Sequence, residues 1–166
     1  TGAEASLYSV AGQNTQVVGN AFPVLGTGRA IQFRSAADTA VSGINIANNY
    51  AANTIFFDAV GSCVGGVNVG LDCDSDAFCT ASTCGSYGDF DHNIIFNNII
   101  ASPPTATWSG IDIENAQGWI TVIDNTDVGS SASTRSAIKF TSLDSVKKGG
   151  ILVADNNLAP DGAGTS

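Results

Sequence analysis

The sequence predicts an all-β fold, a right-handed parallel β-helix (β-solenoid) of about five to six coils, on three observations. A short motif of two apolar residues and an Asn recurs along the chain. A second motif of alternating apolar residues is interleaved with it. No stretch carries the 3.6-residue apolar stripe that an amphipathic helix needs over three turns.

The first motif reads Thr15-x-Val17-x-x-Asn20-x-Phe22, then Ile44-x-Ile46-x-x-Asn49 and Ile95-x-x-Asn98-x-Ile100. It returns as Ile120-x-Val122-x-x-Asn125 and Ile151-x-Val153-x-x-Asn156-x-Leu158. Most repeats lie roughly 30 residues apart, the length of one coil. The stretch from Asn49 to Asn98 is close to two coils long, and Val67-x-Val69-x-x-Asp72 fits the gap with Asp in the Asn place. The second motif places Ile31/Phe33, Ile55/Phe57, Ile111/Ile113 and Ile138/Phe140 at alternate positions, the signature of a strand with one face inward.

One coil cannot bury its own apolar face, so coils must stack at the ~4.8 Å strand spacing, with Ile and Val in columns down the inside. Asn at the turn tolerates the left-handed conformation. Stacked Asn20, Asn49, Asn98, Asn125 and Asn156 are also expected to hydrogen-bond from rung to rung. An antiparallel sandwich is the competing fold, but tight Asn-Gly hairpin signals are absent.

Segments Ile44–Tyr50, Asn93–Ile100, Ile120–Asp127 and Ile151–Ala159 resemble the parallel β-helix repeats of the pectin-lyase-like superfamily, over most of residues 15–160. The resemblance implies architecture rather than activity, because that superfamily includes polysaccharide lyases, glycoside hydrolases, phage tailspikes, adhesins and structural proteins.

All 166 residues are expected to form a single domain. Residues 61–92 read as a loop excursion, and residues 1–6 and 160–166 as tails that are flexible or engaged in assembly. Hydrophobic residues make up 43% of the chain and charged residues only 13%, which excludes a charge-rich disordered tail. The net charge of −9 argues against nucleic acid, whose phosphates require clustered Lys and Arg. No apolar run is long enough for a transmembrane helix, so membrane insertion is not expected. Cys63, Cys73, Cys79 and Cys84 fall in one short window, and an even count in an acidic, Ser/Thr/Asn-rich chain favours disulfides and a secreted, extracellular or cell-surface location. Three pairings are open, Cys63–Cys73 with Cys79–Cys84 being the simplest. The chain opens at Thr1 with neither a basic n-region nor an apolar h-region, as a secreted chain would after signal removal.

Three constellations could carry chemistry. Asp72, Asp74 and Asp76 alternate with other residues, a spacing that can wrap a structural Ca2+, although the Gly and distal Glu of a calcium loop are missing. Asp112 and Glu114 share the outward face of one strand, at a separation that suits glycoside hydrolysis. Around them the outward positions Gln32/Arg34, Phe56/Asp58 and Lys139/Thr141 read as a solvated stripe with an exposed aromatic. His92 beside Asp91 has the chemistry of a general base, but no nucleophile motif accompanies it. Trp108, Trp119, Tyr50 and Tyr87 are aromatics able to stack on sugar rings.

Neither the Asp cluster of superfamily hydrolases nor the basic residue beside calcium of its lyases is recognisable. The expectation is therefore a structural solenoid whose partners are copies of itself, forming a filament, surface layer or adhesive appendage. The alternatives are a β-helix that binds or degrades polysaccharide, and a fragment of a larger tailspike or adhesin.

Overall fold

The computed structural model describes residues 5–10, 12–23, 28–35, 39–73, 76–85, 88, 90–101, 110–114, 118–128, 136–141 and 150–158. Their strands form three five-stranded sheets, each with its strands in chain order. Sheet 1 holds Ala5–Val10, Arg29–Arg34, Ile55–Asp58, Ile111–Glu114 and Ile138–Thr141. Sheet 2 holds Gln16–Val18, Asn45–Ala47, Asn93–Phe96, Ile120–Ile123 and Ile151–Ala154. Sheet 3 holds Ala21–Phe22, Tyr50–Ala51, Ile99–Ile100, Thr126–Asp127 and Asn157–Leu158. Every pairing within these sheets is parallel. Each pass of the chain visits sheet 2, sheet 3 and sheet 1, then returns to sheet 2 one strand further on. The arrangement is compatible with a β-solenoid.

The alternating motif explains the register. Ile31, Ile55, Ile111 and Ile138 stand opposite one another, as do Phe33, Phe57, Ile113 and Phe140. In sheet 2 the column is Val17, Ile46, Ile95, Val122 and Val153. Nearly all of these side chains join one buried cluster. Each fully buried aliphatic contributes about 1.5–3 kcal/mol of transfer free energy. Phe57 stacks on Phe33 with ring centroids 5.6 Å apart and meets Phe90 edge-on at 5.2 Å.

Asn20, Asn49, Asn98, Asn125 and Asn156 form the expected ladder. Asn20 Nδ2 donates to Asn49 Oδ1 at 3.2 Å and Asn49 Nδ2 to Asn98 Oδ1 at 3.0 Å. Asn98 Nδ2 donates to Asn125 Oδ1 at 2.9 Å, and Asn125 Nδ2 to Asn156 Oδ1 at 3.0 Å. One part of the expectation needs correction: the ladder Asn do not hold the left-handed conformation. It falls on the residue before each of them, Gly19, Asn48, Asn97, Asp124 and Asp155, at φ between 48° and 71°. These residue types tolerate the left-handed corner, which turns the chain and frees the following amide to face its neighbours.

Asn49 bonds directly to Asn98, so the long interval between them is one pass with an insertion and not two. The reading of Val67-x-Val69-x-x-Asp72 as a rung is therefore wrong. Val67 is 83% exposed. Gly66 and Gly70 flank the segment with positive φ and break any strand there. The insertion contains a small antiparallel sheet of Gly61–Cys63, Asp72–Cys73 and Cys84–Gly85, and a 3-10 turn at Asp76–Phe78.

Two disulfides close the insertion, Cys63–Cys79 and Cys73–Cys84, which corrects the simpler pairing. The four cysteines form its buried cluster, while Val64, Val67, Val69, Leu71 and Phe78 are exposed. With so little apolar burial, the cross-links must supply the local stability, on the order of 3 kcal/mol for loops of this length. Cys63→Ser/Cys79→Ser is expected to make residues 61–85 sensitive to limited proteolysis while the main unfolding transition moves by less than about 1 kcal/mol, because the sheets are paired without them. Cleavage mapped by mass spectrometry, together with a urea titration, checks both parts.

Candidate functional site

The acidic pair Asp112 and Glu114 lies on the outer face of sheet 1. Tyr8, Gln32, Phe56, Asp112 and Lys139 form one row there, and Val10, Arg34, Asp58, Glu114 and Thr141 the next. Lys139 Nζ sits 3.7 Å from Asp112 Oδ2 and 3.7 Å from Glu114 Oε1, bridging both carboxylates. Arg34 Nε pairs with Asp58 Oδ2 at 3.2 Å. The Arg29 guanidinium lies 3.8 Å over the Phe56 ring, and its Nη1 donates to Gln32 Oε1 at 3.2 Å.

This face is not the solvated stripe that alternation suggests. Gln32, Phe56 and Asp112 are buried, Phe56 and Asp112 at 1% exposure, so Phe56 is no exposed platform. Asp112 Oδ1 is buried with no hydrogen-bond partner among the described residues. Burial pushes the Asp112 carboxyl above its ordinary range, and the neighbouring Glu114 charge pushes it further, against the opposing pull of Lys139. An acid whose proton is held more tightly in the folded state loses stability as pH rises from its unfolded pKa through its folded one. Asp112→Asn is therefore expected to stabilise the protein at neutral pH, because the amide carries no charge to be held away from water. The gain disappears in acid, where Asp112 is protonated folded and unfolded; urea titrations across pH check the sign.

Compared with known proteins, the chain matches no family model, no curated protein and no solved structure. The reading of its sites therefore rests on their own geometry.

The other predicted residues disperse. Asp72 is exposed beside Cys73. Asp76 Oδ1 accepts the Cys84 N–H at 2.7 Å, which ties the 3-10 turn to the small antiparallel sheet. Asp74, Trp108 and Tyr87 lie outside the described residues. Among the described residues, the only grouped metal-ligand types are Cys63, Cys73 and Cys79, whose sulfurs are held in disulfides. His92 holds φ 54° at a corner equivalent to Gly43, which stands beside it in register. It is exposed, and its Nδ1 lies 2.8 Å from Asp91 Oδ2. The geometry gives it a turning role at a position that Gly fills on the neighbouring strand.

Sequence reasoning missed an exposed apolar surface. Ile94, Phe96 and Ile99 point outward on one pass of the chain, with Tyr50 beside Ile99 in register. Trp119 and Leu152 are also exposed. The signal was present in Asn93–Ile100, where apolar residues occupy both phases of the alternation. The last rung is exposed too: Val153, which occupies the inward column, is 44% exposed, against 0% for Val122 at the same phase.

Proposed function

We propose that this chain is an extracellular structural β-solenoid, right-handed and related in architecture to the pectin-lyase-like superfamily, whose copies associate into a filament, surface layer or adhesive appendage. The observation that carries the reading is the exposure of the last described rung. Ile151, Val153 and Leu158 continue the interior columns yet remain exposed, and the edge of a parallel sheet beside them is a template for another strand. The outward Ile94, Phe96, Ile99 and Tyr50 add lateral apolar surface of the kind that marks interaction sites. Disulfides in the insertion fit an oxidising, extracellular setting.

Sedimentation velocity over a wide concentration range, with negative-stain microscopy of the concentrated sample, tests the proposal. Concentration-dependent growth into elongated particles is expected, and a monomer at every concentration contradicts it. The raised carboxyl of Asp112 beside Glu114 favours a second reading, action on a polysaccharide by acid–base catalysis. Release of reducing ends from a glycan panel, abolished in Glu114→Gln, would establish that reading. The near-complete burial of Asp112 weighs against it.

A further inference from the structure

The rungs are joined by a repeated set of polar contacts with a direction. At each of the four joints, the N–H of the left-handed corner residue donates to a carbonyl on the next rung. The pairs are Gly19 to Ala47 at 3.1 Å, Asn48 to Phe96 at 3.2 Å, Asn97 to Ile123 at 3.2 Å and Asp124 to Ala154 at 3.3 Å. The N–H of each ladder Asn donates to the next Asn Oδ1, at 2.9 Å from Asn20, 3.0 Å from Asn49, 3.0 Å from Asn98 and 2.9 Å from Asn125. In return, the residue after the next Asn donates its N–H to the carbonyl of the Asn before. Tyr50 reaches Asn20 at 2.9 Å, Ile99 reaches Asn49 at 2.9 Å, Thr126 reaches Asn98 at 2.8 Å and Asn157 reaches Asn125 at 2.8 Å.

The first and last described rungs are left with opposite halves of this set. The last rung presents the Asp155 N–H, the Asn156 N–H and the Asn156 carbonyl, none of them engaged among the described residues. The first rung presents their counterparts. Among the described residues Val18 carbonyl accepts only the Asn20 side chain, whereas Phe96 carbonyl, at the same phase, also takes a second donor from the neighbouring rung. Asn20 Oδ1 accepts no hydrogen bond among the described residues. Asn20 carbonyl faces the second rung, so by strand alternation the Ala21 N–H faces the free edge.

The sheets are level as well: among the described residues each has five strands, and the strands of one rung stand at the same level in all three. Inside the chain a sheet 3 strand is always followed by a sheet 1 strand, and the first described strand, Ala5–Val10, is a sheet 1 strand.

We propose that a second copy of this chain docks head to tail. Its first rung stacks on Ile151–Leu158, and a fifth joint forms from Asp155 N–H to Val18 carbonyl, Asn156 N–H to Asn20 Oδ1, and Ala21 N–H to Asn156 carbonyl. This joint presupposes the self-association proposed above and specifies its geometry. Tail-to-tail pairing would set Asn156 N–H against its own copy, leaving donors facing donors. The head-to-tail joint is heterologous, so it propagates into a filament rather than closing. Its apolar gain comes mainly from the last rung, because Val17 and Phe22 at the first are already buried.

Complementation tests it. Ala21→Pro removes an N–H that serves no contact among the described residues and disables the first rung. Val153→Lys places an ammonium in the last inward position and disables the last. Each variant alone is expected to sediment as monomer, and an equimolar mixture as a heterodimer that does not extend. Asn20→Ala and Leu158→Lys form an independent pair, and thermal melts by circular dichroism confirm folding of all four. Self-association of Ala21→Pro alone would show tail-to-tail pairing and overturn the joint. Assembly of both variants to the wild-type extent would show lateral association, overturning the joint while leaving the structural reading intact. A wild-type protein that stays monomeric removes the structural reading itself.

Discussion

Asn98→Ala is expected to destabilise the fold by about 3–5 kcal/mol, far more than an average substitution. Asn98 Oδ1 accepts the Asn49 backbone N–H at 3.0 Å and the Asn49 side chain at 3.0 Å. Its Nδ2 donates to Ile46 carbonyl at 2.9 Å, Phe96 carbonyl at 3.1 Å and Asn125 Oδ1 at 2.9 Å. Asn49, Asn98 and Asn125 are buried, so truncation strands several groups out of reach of water, at about 1–3 kcal/mol each with partial relaxation. Asn20→Ala, at the first rung where Asn20 itself is exposed, is expected to cost under about 1 kcal/mol, because solvent can replace its contacts. Urea titrations of the two variants measure the difference; equal losses would show that the ladder is ornamental rather than structural.

Phe57→Ala should cost about 3–5 kcal/mol through loss of apolar contact and a cavity between Phe33 and Phe90. Phe57 is fully buried where the sheet 1 column meets the residues that close the interior. Because the rungs above and below are tied by hydrogen bonds, they cannot collapse freely into the space, which places the cost toward the upper part of that range. Phe78→Ala, in the disulfide-closed insertion, should stay within about 0.5 kcal/mol because Phe78 is exposed. The same titration compares the two.

The columns and the Asn ladder were legible in the sequence because both rest on strict phase. Alternation fixes which residues of Ile111–Glu114 face inward, and an amide that recurs at one phase has its own copy as neighbour. Alternation does not say whether the other face is covered, which is why Asp112 and Phe56 read as solvated when they are buried. It also cannot separate a rung from two exposed valines in a loop, as with Val67 and Val69. There the stronger signal was the flanking glycines, whose positive φ no strand residue would share. The left-handed corner was misplaced by one residue, although Gly19, Asn48, Asn97, Asp124 and Asp155 spell it in composition. The disulfide pairing was not legible at all. It depends on how the Gly61–Cys63, Asp72–Cys73 and Cys84–Gly85 strands fold on one another, and cysteine spacing does not encode that. The donors and acceptors of the last described rung depend on hydrogen-bond direction, which residue phase alone does not encode.

Methyl–methyl nuclear Overhauser contacts in a selectively labelled sample test the rung-over-rung arrangement most directly. Strong contacts are predicted from Ile46 to Ile95 and from Ile95 to Val122, with none from Val67 or Val69 to Ile46. A contact of Val69 with both Ile46 and Ile95 would place the insertion between them as a rung of its own and contradict the register.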